Sequence, residues 1–121
     1  MMNRQLTDHK LNGLNDALKI EVLDEAGHGG ASHNYMISCD GGAVPVHIAF
    51  QNGPIQDHGV NGISNEALIA IVIDRLRGFQ SGKFACRDND NALARLEESL
   101  AWLQKRTRER VAKGVEGTSN A

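Results

Sequence analysis

The sequence changes period at Asn61-Gly62, and this change limits the possible folds more than any other feature. Before it, glycines at 27, 29, 30, 41, 42, 53, 59 and 62 separate short runs that alternate in polarity and are rich in β-branched residues. Such punctuation marks strands and turns. Strands are expected over 17–24, 33–39 and 44–51, with turns at Gly27-His28-Gly29-Gly30 and Asp40-Gly41-Gly42. Connections this short exclude crossovers, so the sheet should be antiparallel.

After Gly62 the spacing becomes helical. Ser64 is placed to cap a helix over 65–80, with Glu66 where the helix dipole favours an acid. Its apolar run over 67–73 covers nearly every side, so it should lie between the sheet and another element or in a subunit interface. Ser81-Gly82-Lys83 breaks the chain. A second helix is expected to start near Asp88 to Asn91 and run to about Lys113, with Gly114 as its left-handed terminator. Leu93, Leu96, Leu100, Leu103 and Thr107 follow the 3-4-3-4 spacing of one apolar seam, with Ala92 and Val111 near its edges. The two helices therefore form a hairpin. The fold class is α+β: a β-rich region over 1–62, a helical hairpin over 63–114 and a tail over 115–121 with little to bury and expected to be mobile. The first sixteen residues carry no decisive pattern.

A chain of 121 residues and 13.1 kDa has room for one domain overall. With 40% hydrophobic residues it is neither disordered by default nor fibrous. The net charge of -2 does not suit a protein that wraps nucleic acid, but it hides a local excess of +4 over 103–113, from Lys105, Arg106, Arg108, Arg110 and Lys113 against Glu109. Cys39 and Cys86 are expected as free thiols. No stretch resembles a signal peptide or a membrane span, so a soluble, cytoplasmic protein is expected.

Five histidines, His9, His28, His33, His47 and His58, lack metal-ligand spacing, so no metal or cofactor is expected. Neither cysteine sits in an activating context and no nucleophile elbow is present, so enzymatic activity is not expected. The glycines at 27, 29 and 30 are followed by strand-like sequence rather than by the helix a phosphate loop needs, which favours a turn. The stretch QKRTRER is the strongest local signal. From composition alone it is a solvated helix end whose cations complement the dipole. It also has the form of a phosphate clamp, because Arg106 follows Trp102 by one turn, where guanidinium and indole can stack, and Arg110 continues the row. Phe79 and Asn89 are individually weak signals, the usual core residue and the usual cap.

The pieces GVNG (59–62), NEAL (65–68), FQ-x-G-x-FACR (79–87), WLQKRT (102–107) and GVEG (114–117) occur in order within residues 52–117. This stretch resembles the phage-encoded hairpin family that includes Thoeris anti-defence proteins of the first type and related anti-CBASS proteins. GGASHNYMI and IAFQNGPI upstream are similar to the strand region of the Thoeris branch. The resemblance implies a sponge, which binds a cyclic ADP-ribose isomer and withholds it from a host effector without chemical change. Some members also bind cyclic oligonucleotides at a separate site. The family's messenger pocket falls here on Phe79, Asn89, Arg106 and Arg110; Arg87 and His28 are candidates for a second site. Lys83 stands where a proline is common, and Asp88-Asn89-Asp90 is more acidic than the usual stretch. The alternative within the family is an anti-CBASS sponge with cyclic di- or trinucleotides as its main ligands.

Asn89 and Arg106 are seventeen residues apart on one helix, which is roughly 25 Å at 1.5 Å per residue. One small ligand cannot touch both within a protomer. Two hairpins packed antiparallel about a two-fold axis would bring the Arg end of one to the Phe79 and Asn89 end of its mate. A homodimer is therefore expected, and the family resemblance extends this to a higher homo-oligomer, up to a hexamer; neither a nucleic-acid polymer nor a membrane is expected as partner.

Overall fold

The computed structural model describes residues 3–39 and 45–120, so the expected turn Asp40-Gly41-Gly42 lies outside the described residues. The chain divides into two compact units, Met1–Ile63 and Ser64–Ala121.

The first unit is a four-stranded antiparallel meander of β1 (Arg4–Leu6), β2 (Leu18–Val22), β3 (Asn34–Cys39) and β4 (Val46–Ala49), in that spatial order. The sheet is antiparallel, as the short connections require, but the strands are shorter than expected and there is one more of them. Arg4–Leu6 forms a strand because it finds Val22 to Ile20 as partners, a pairing that three residues with one apolar side chain do not advertise. Leu18, Ile20 and Val22 share a face, as alternation dictates. Ile20 pairs with Ile37 and Val22 with Tyr35, which in turn pair with Val46 and Ile48. Val22 is only 2% exposed. Ala17, expected in β2, instead closes the short helix α1 (Gly13–Ala17).

The glycine segment between β2 and β3 makes a single 3-10 turn, His28–Gly30, in which Gly29 and Gly30 have φ of 75° and 85°. Only glycine enters that region without cost. Asp24 clasps the loop shut, its carboxylate accepting hydrogen bonds from the backbone N–H groups of His33 (3.0 Å) and Asn34 (3.0 Å). These bonds hold the Asp24 carboxyl below its ordinary value of 3.8, the His33 N–H contributing most. Beyond β4 a short helix, α2 (Ile55–His58), leads to Gly62, where the backbones of Phe50 and Ile63 meet in a parallel bridge. A Cβ on Gly62 would fall 2.4 Å from the Phe50 carbonyl carbon, so this glycine is required by close approach.

The second unit is the hairpin of α3 (Asn65–Gln80) and α4 (Arg87–Ala112), which pack on one another. Ser64 caps α3 as expected, its hydroxyl accepting from the Ala67 N–H at 3.1 Å. α4 begins at Arg87, slightly earlier than expected, and is unbroken to Ala112. It ends at Gly114 (φ 73°) in a Schellman motif, with Val115 N–H donating to Arg110 O and Gly114 N–H to Val111 O. The half-buried residues of α4 are Asn89, Leu93, Leu96, Leu100, Leu103, Thr107 and Arg110, the expected seam extended by one polar residue at each end. Ala92 and Val111 are exposed. Arg77, in the last turn of α3, crosses to Glu97 of α4 at 2.8 Å and ties the two helices together.

Candidate functional site

The α3–α4 turn builds an aromatic corner. Phe79 sits in the last turn of α3, and Phe84 is carried by the connecting loop. Their rings meet edge to face, with centroids 6.5 Å apart and planes at 85°. With Leu76 and Asn89 they line an open cavity of about 420 Å³. Each ring carries a cation: the Arg75 guanidinium lies 5.6 Å from the Phe79 centroid and the Lys83 ammonium 5.4 Å from that of Phe84. Phe79 and Phe84 are 41% and 65% exposed, a large aromatic surface to leave in water unless something stacks on it.

Phe79 and Asn89, both named from sequence, are thus brought together by the turn. Leu76, Arg75 and Phe84 were missed. Phe84 had a signal, an aromatic five residues after Phe79 on the far side of a chain break, but its orientation depends on the loop conformation. Gln80 bonds across that loop: its amide donates to the Cys86 carbonyl (2.9 Å) and to the Asp90 carboxylate (2.6 Å), and its oxygen accepts from the Cys86 N–H (3.0 Å).

Arg106 and Arg110 lie at the other end of α4. From Asn89 the unbroken helix carries them roughly 25 and 31 Å away, so no ligand of nucleotide size spans the distance within a protomer. Arg106 is exposed, on the side of the helix that also carries the 62%-exposed Trp102. The expected Arg106–Trp102 stack is not formed: Lys105 lies over the indole, 5.8 Å from its centroid. Lys105 also pairs with Glu109 one turn on and holds that carboxyl below its ordinary value, first through their hydrogen bond.

Arg110 does not continue an exposed row. Its side chain is 14% exposed, and the tail over 115–120 is fastened to it. Nε donates to Glu116 (3.1 Å), Nη1 to Asn120 O (2.8 Å), and Nη2 to Val115 O (2.9 Å) and Thr118 O (3.1 Å). Among the described residues one Nη1 hydrogen remains, so Arg110 as placed can give a phosphate one hydrogen bond and not the bidentate pair.

The second-site candidates fall in different units. Arg87 is exposed at the first position of α4, and His28 is exposed in the 3-10 turn, where its carbonyl accepts from Nε2 of the buried His33 at 3.1 Å. Among the described residues no three His, Cys, Asp or Glu side chains cluster closely enough to hold a metal. Cys39 and Cys86 are free thiols. Among the same residues no helix is long and apolar enough to cross a membrane.

Residues 42–108 match the family described as "Acb2/Tad1, hairpin domain". The chain is also similar to "Thoeris anti-defense 1" of Bacillus phage SBSphiJ7, at 49% identity over 92 residues, which is 76% of this chain and 64% of that protein. The chain therefore spans somewhat less than two thirds of that relative's length. The matched region contains the whole of α3, the aromatic corner and the helix through Arg106, and the chain belongs to the Acb2/Tad1 hairpin-domain family.

Proposed function

We propose that this protein is an anti-Thoeris sponge, which binds a cyclic ADP-ribose-type messenger and withholds it from the host effector without degrading it. The observation that carries this reading is the exposed Phe79–Phe84 corner with Asn89 beside it, at one end of an unbroken helix whose other end carries Arg106. The corner offers what a base and its ribose need. Phe79 provides a stacking face, a contact worth about 1–3 kcal/mol per base, and the Asn89 amide offers both donors and an acceptor. The guanidinium of Arg106 suits a pyrophosphate. Two protomers packed antiparallel about a two-fold axis complete the site, with Arg106, and Arg110 through its remaining N–H, reaching the partner's corner.

The homology to "Thoeris anti-defense 1" supports the biological setting. A second site for cyclic oligonucleotides, with Arg87 and His28 as candidates, belongs to the same proposal. The side chains that line the corner, Leu76, Phe79, Phe84 and Asn89, can stack and hydrogen-bond but do not transfer protons, which favours sequestration over turnover.

Incubation with a cyclic ADP-ribose isomer, followed by heat denaturation, tests the proposal. The free messenger should disappear on mixing and return intact on heating, as read by mass spectrometry and by reactivation of the effector. Recovery of a hydrolysed or linearised product would instead make the protein an enzyme.

A further inference from the structure

The corner exists because the α3–α4 connection holds Phe84 against Phe79. The connection from Ser81 to Ala85 contains Gly82, and its own bonds are local: the Ser81 hydroxyl to Gly78 O at 2.7 Å, Gly82 N–H to Phe79 O at 3.3 Å and Ala85 N–H to Gly82 O at 3.2 Å. None of these reaches α4. The bonds that do so come from Gln80, the residue directly after Phe79, whose amide takes both backbone groups of Cys86 and the carboxylate of Asp90, the residue directly after Asn89. Both amide hydrogens and the amide oxygen are in use. The Cys86 N–H can only donate, so the oxygen must face it and the NH₂ must face the Cys86 carbonyl and Asp90, which fixes the side chain in one orientation. α4 has no side-chain cap of its own at Cys86, so this amide is what anchors the helix start to the end of α3.

We propose that Gln80 is the positioning residue of the ligand site: it touches no ligand, but it sets the separation of Phe79, Phe84 and Asn89. The inference deepens the sequestration proposal and rests on it only for the ligand; the geometry of the clasp stands separately. A carboxylate in place of the amide loses both donors and puts a negative charge against Asp90, so Gln80→Glu should disrupt the corner at least as much as Gln80→Ala does. Changing Asp90 to Asn in that background restores a donor to the new carboxylate, whose other oxygen still accepts from the Cys86 N–H. Gln80→Glu with Asp90→Asn should therefore rebuild two of the three bonds.

The test combines ring–ring NOEs between Phe79 and Phe84 with calorimetric titration of cyclic ADP-ribose and its cyclic isomers into the full chain. Gln80→Ala and Gln80→Glu should keep wild-type helicity, lose the Phe79–Phe84 NOEs and bind about tenfold more weakly, the scale for losing bonds to a charged partner. The double variant should recover both the NOEs and most of the affinity. NOEs and affinity that both survive in Gln80→Ala would overturn the proposal. So would weaker binding with the NOEs intact, because Gln80 would then be contacting ligand directly. If Gln80→Ala does not fold, recovery in the double variant over Gln80→Glu decides the question. A wild-type protein that binds none of these nucleotides would refute sequestration of this ligand class, while the NOEs would still report whether the clasp positions the corner.

Discussion

Two arginines four residues apart on one helix have different environments, and their chemistry differs accordingly. Arg106 is exposed and available. Arg110 lies on the seam and spends most of its hydrogens on Glu116 and three tail carbonyls. Hydrogen bonds to a charged group contribute about 1.5–3 kcal/mol each when well shielded, and an exposed side chain contributes within about 0.5 kcal/mol. Arg110→Ala is expected to cost about 1–3 kcal/mol of stability in urea denaturation. It should also raise amide exchange over 115–120. Arg106→Ala should leave both unchanged while weakening messenger binding. Equal stability loss in the two variants would show that the tail contributes nothing to holding Arg110.

At the scale of an element, the β2–β3 loop shows how one side chain can clasp a glycine-rich segment. Asp24 accepts from two consecutive backbone N–H groups, which favours its ionised form. Because its carboxyl lies lower in the folded protein than its ordinary 3.8, the clasp contributes fully above that value and is lost as pH falls through the lowered one. The His33 and Asn34 amide resonances should therefore shift together on acidification to below 3.8, and Asp24→Asn should abolish that shared titration. Independent midpoints for the two amides would mean that they do not share the Asp24 carboxylate. In the hairpin the outer ends are set by Ser64 and Gly114, the inner ends are joined by the Gln80 amide, and the leucines of α4 supply the seam.

For the whole molecule, the length of α4 is the controlling fact. A helix of 26 residues separates the aromatic corner from the arginines, and α3 leaves Ile71 and Val72 58% and 44% exposed on a helix that is apolar on several sides. Both features fit an assembly in which one protomer completes the other's site. Subunit mixing tests this directly. Phe79→Ala and Arg106→Glu should each abolish binding as homodimers. Arg106 is the better choice for the charge reversal, because Arg110→Glu would also release the tail. After exchange, each heterodimer should contain one pocket with both defects and one that is wild type at both positions, so titration should recover up to one site per heterodimer. Verified heterodimers that fail to bind would place the whole site within one protomer.

What the sequence determined by itself is local or periodic. The capping hydroxyl of Ser64, the glycine at 114, the leucine seam and the glycine punctuation before residue 62 each act within a turn or a few turns of their own position, so their consequences can be derived one segment at a time. Phe79 and Asn89 were legible through resemblance, because they lie within an ordered set of motifs. The tertiary structure decided everything that depends on which distant groups meet. Arg4–Leu6 becomes a strand only because β2 offers it an edge. Phe84 becomes half of an aromatic corner because the α3–α4 connection turns it onto Phe79, with Gln80 bonded across to Cys86 and Asp90, and Arg110 meets the tail because the helix phase puts it on the half-buried seam. In each case the partner is supplied by chain folding rather than by spacing, and a hydrogen bond or ring contact forms only after that folding has placed the two groups within reach.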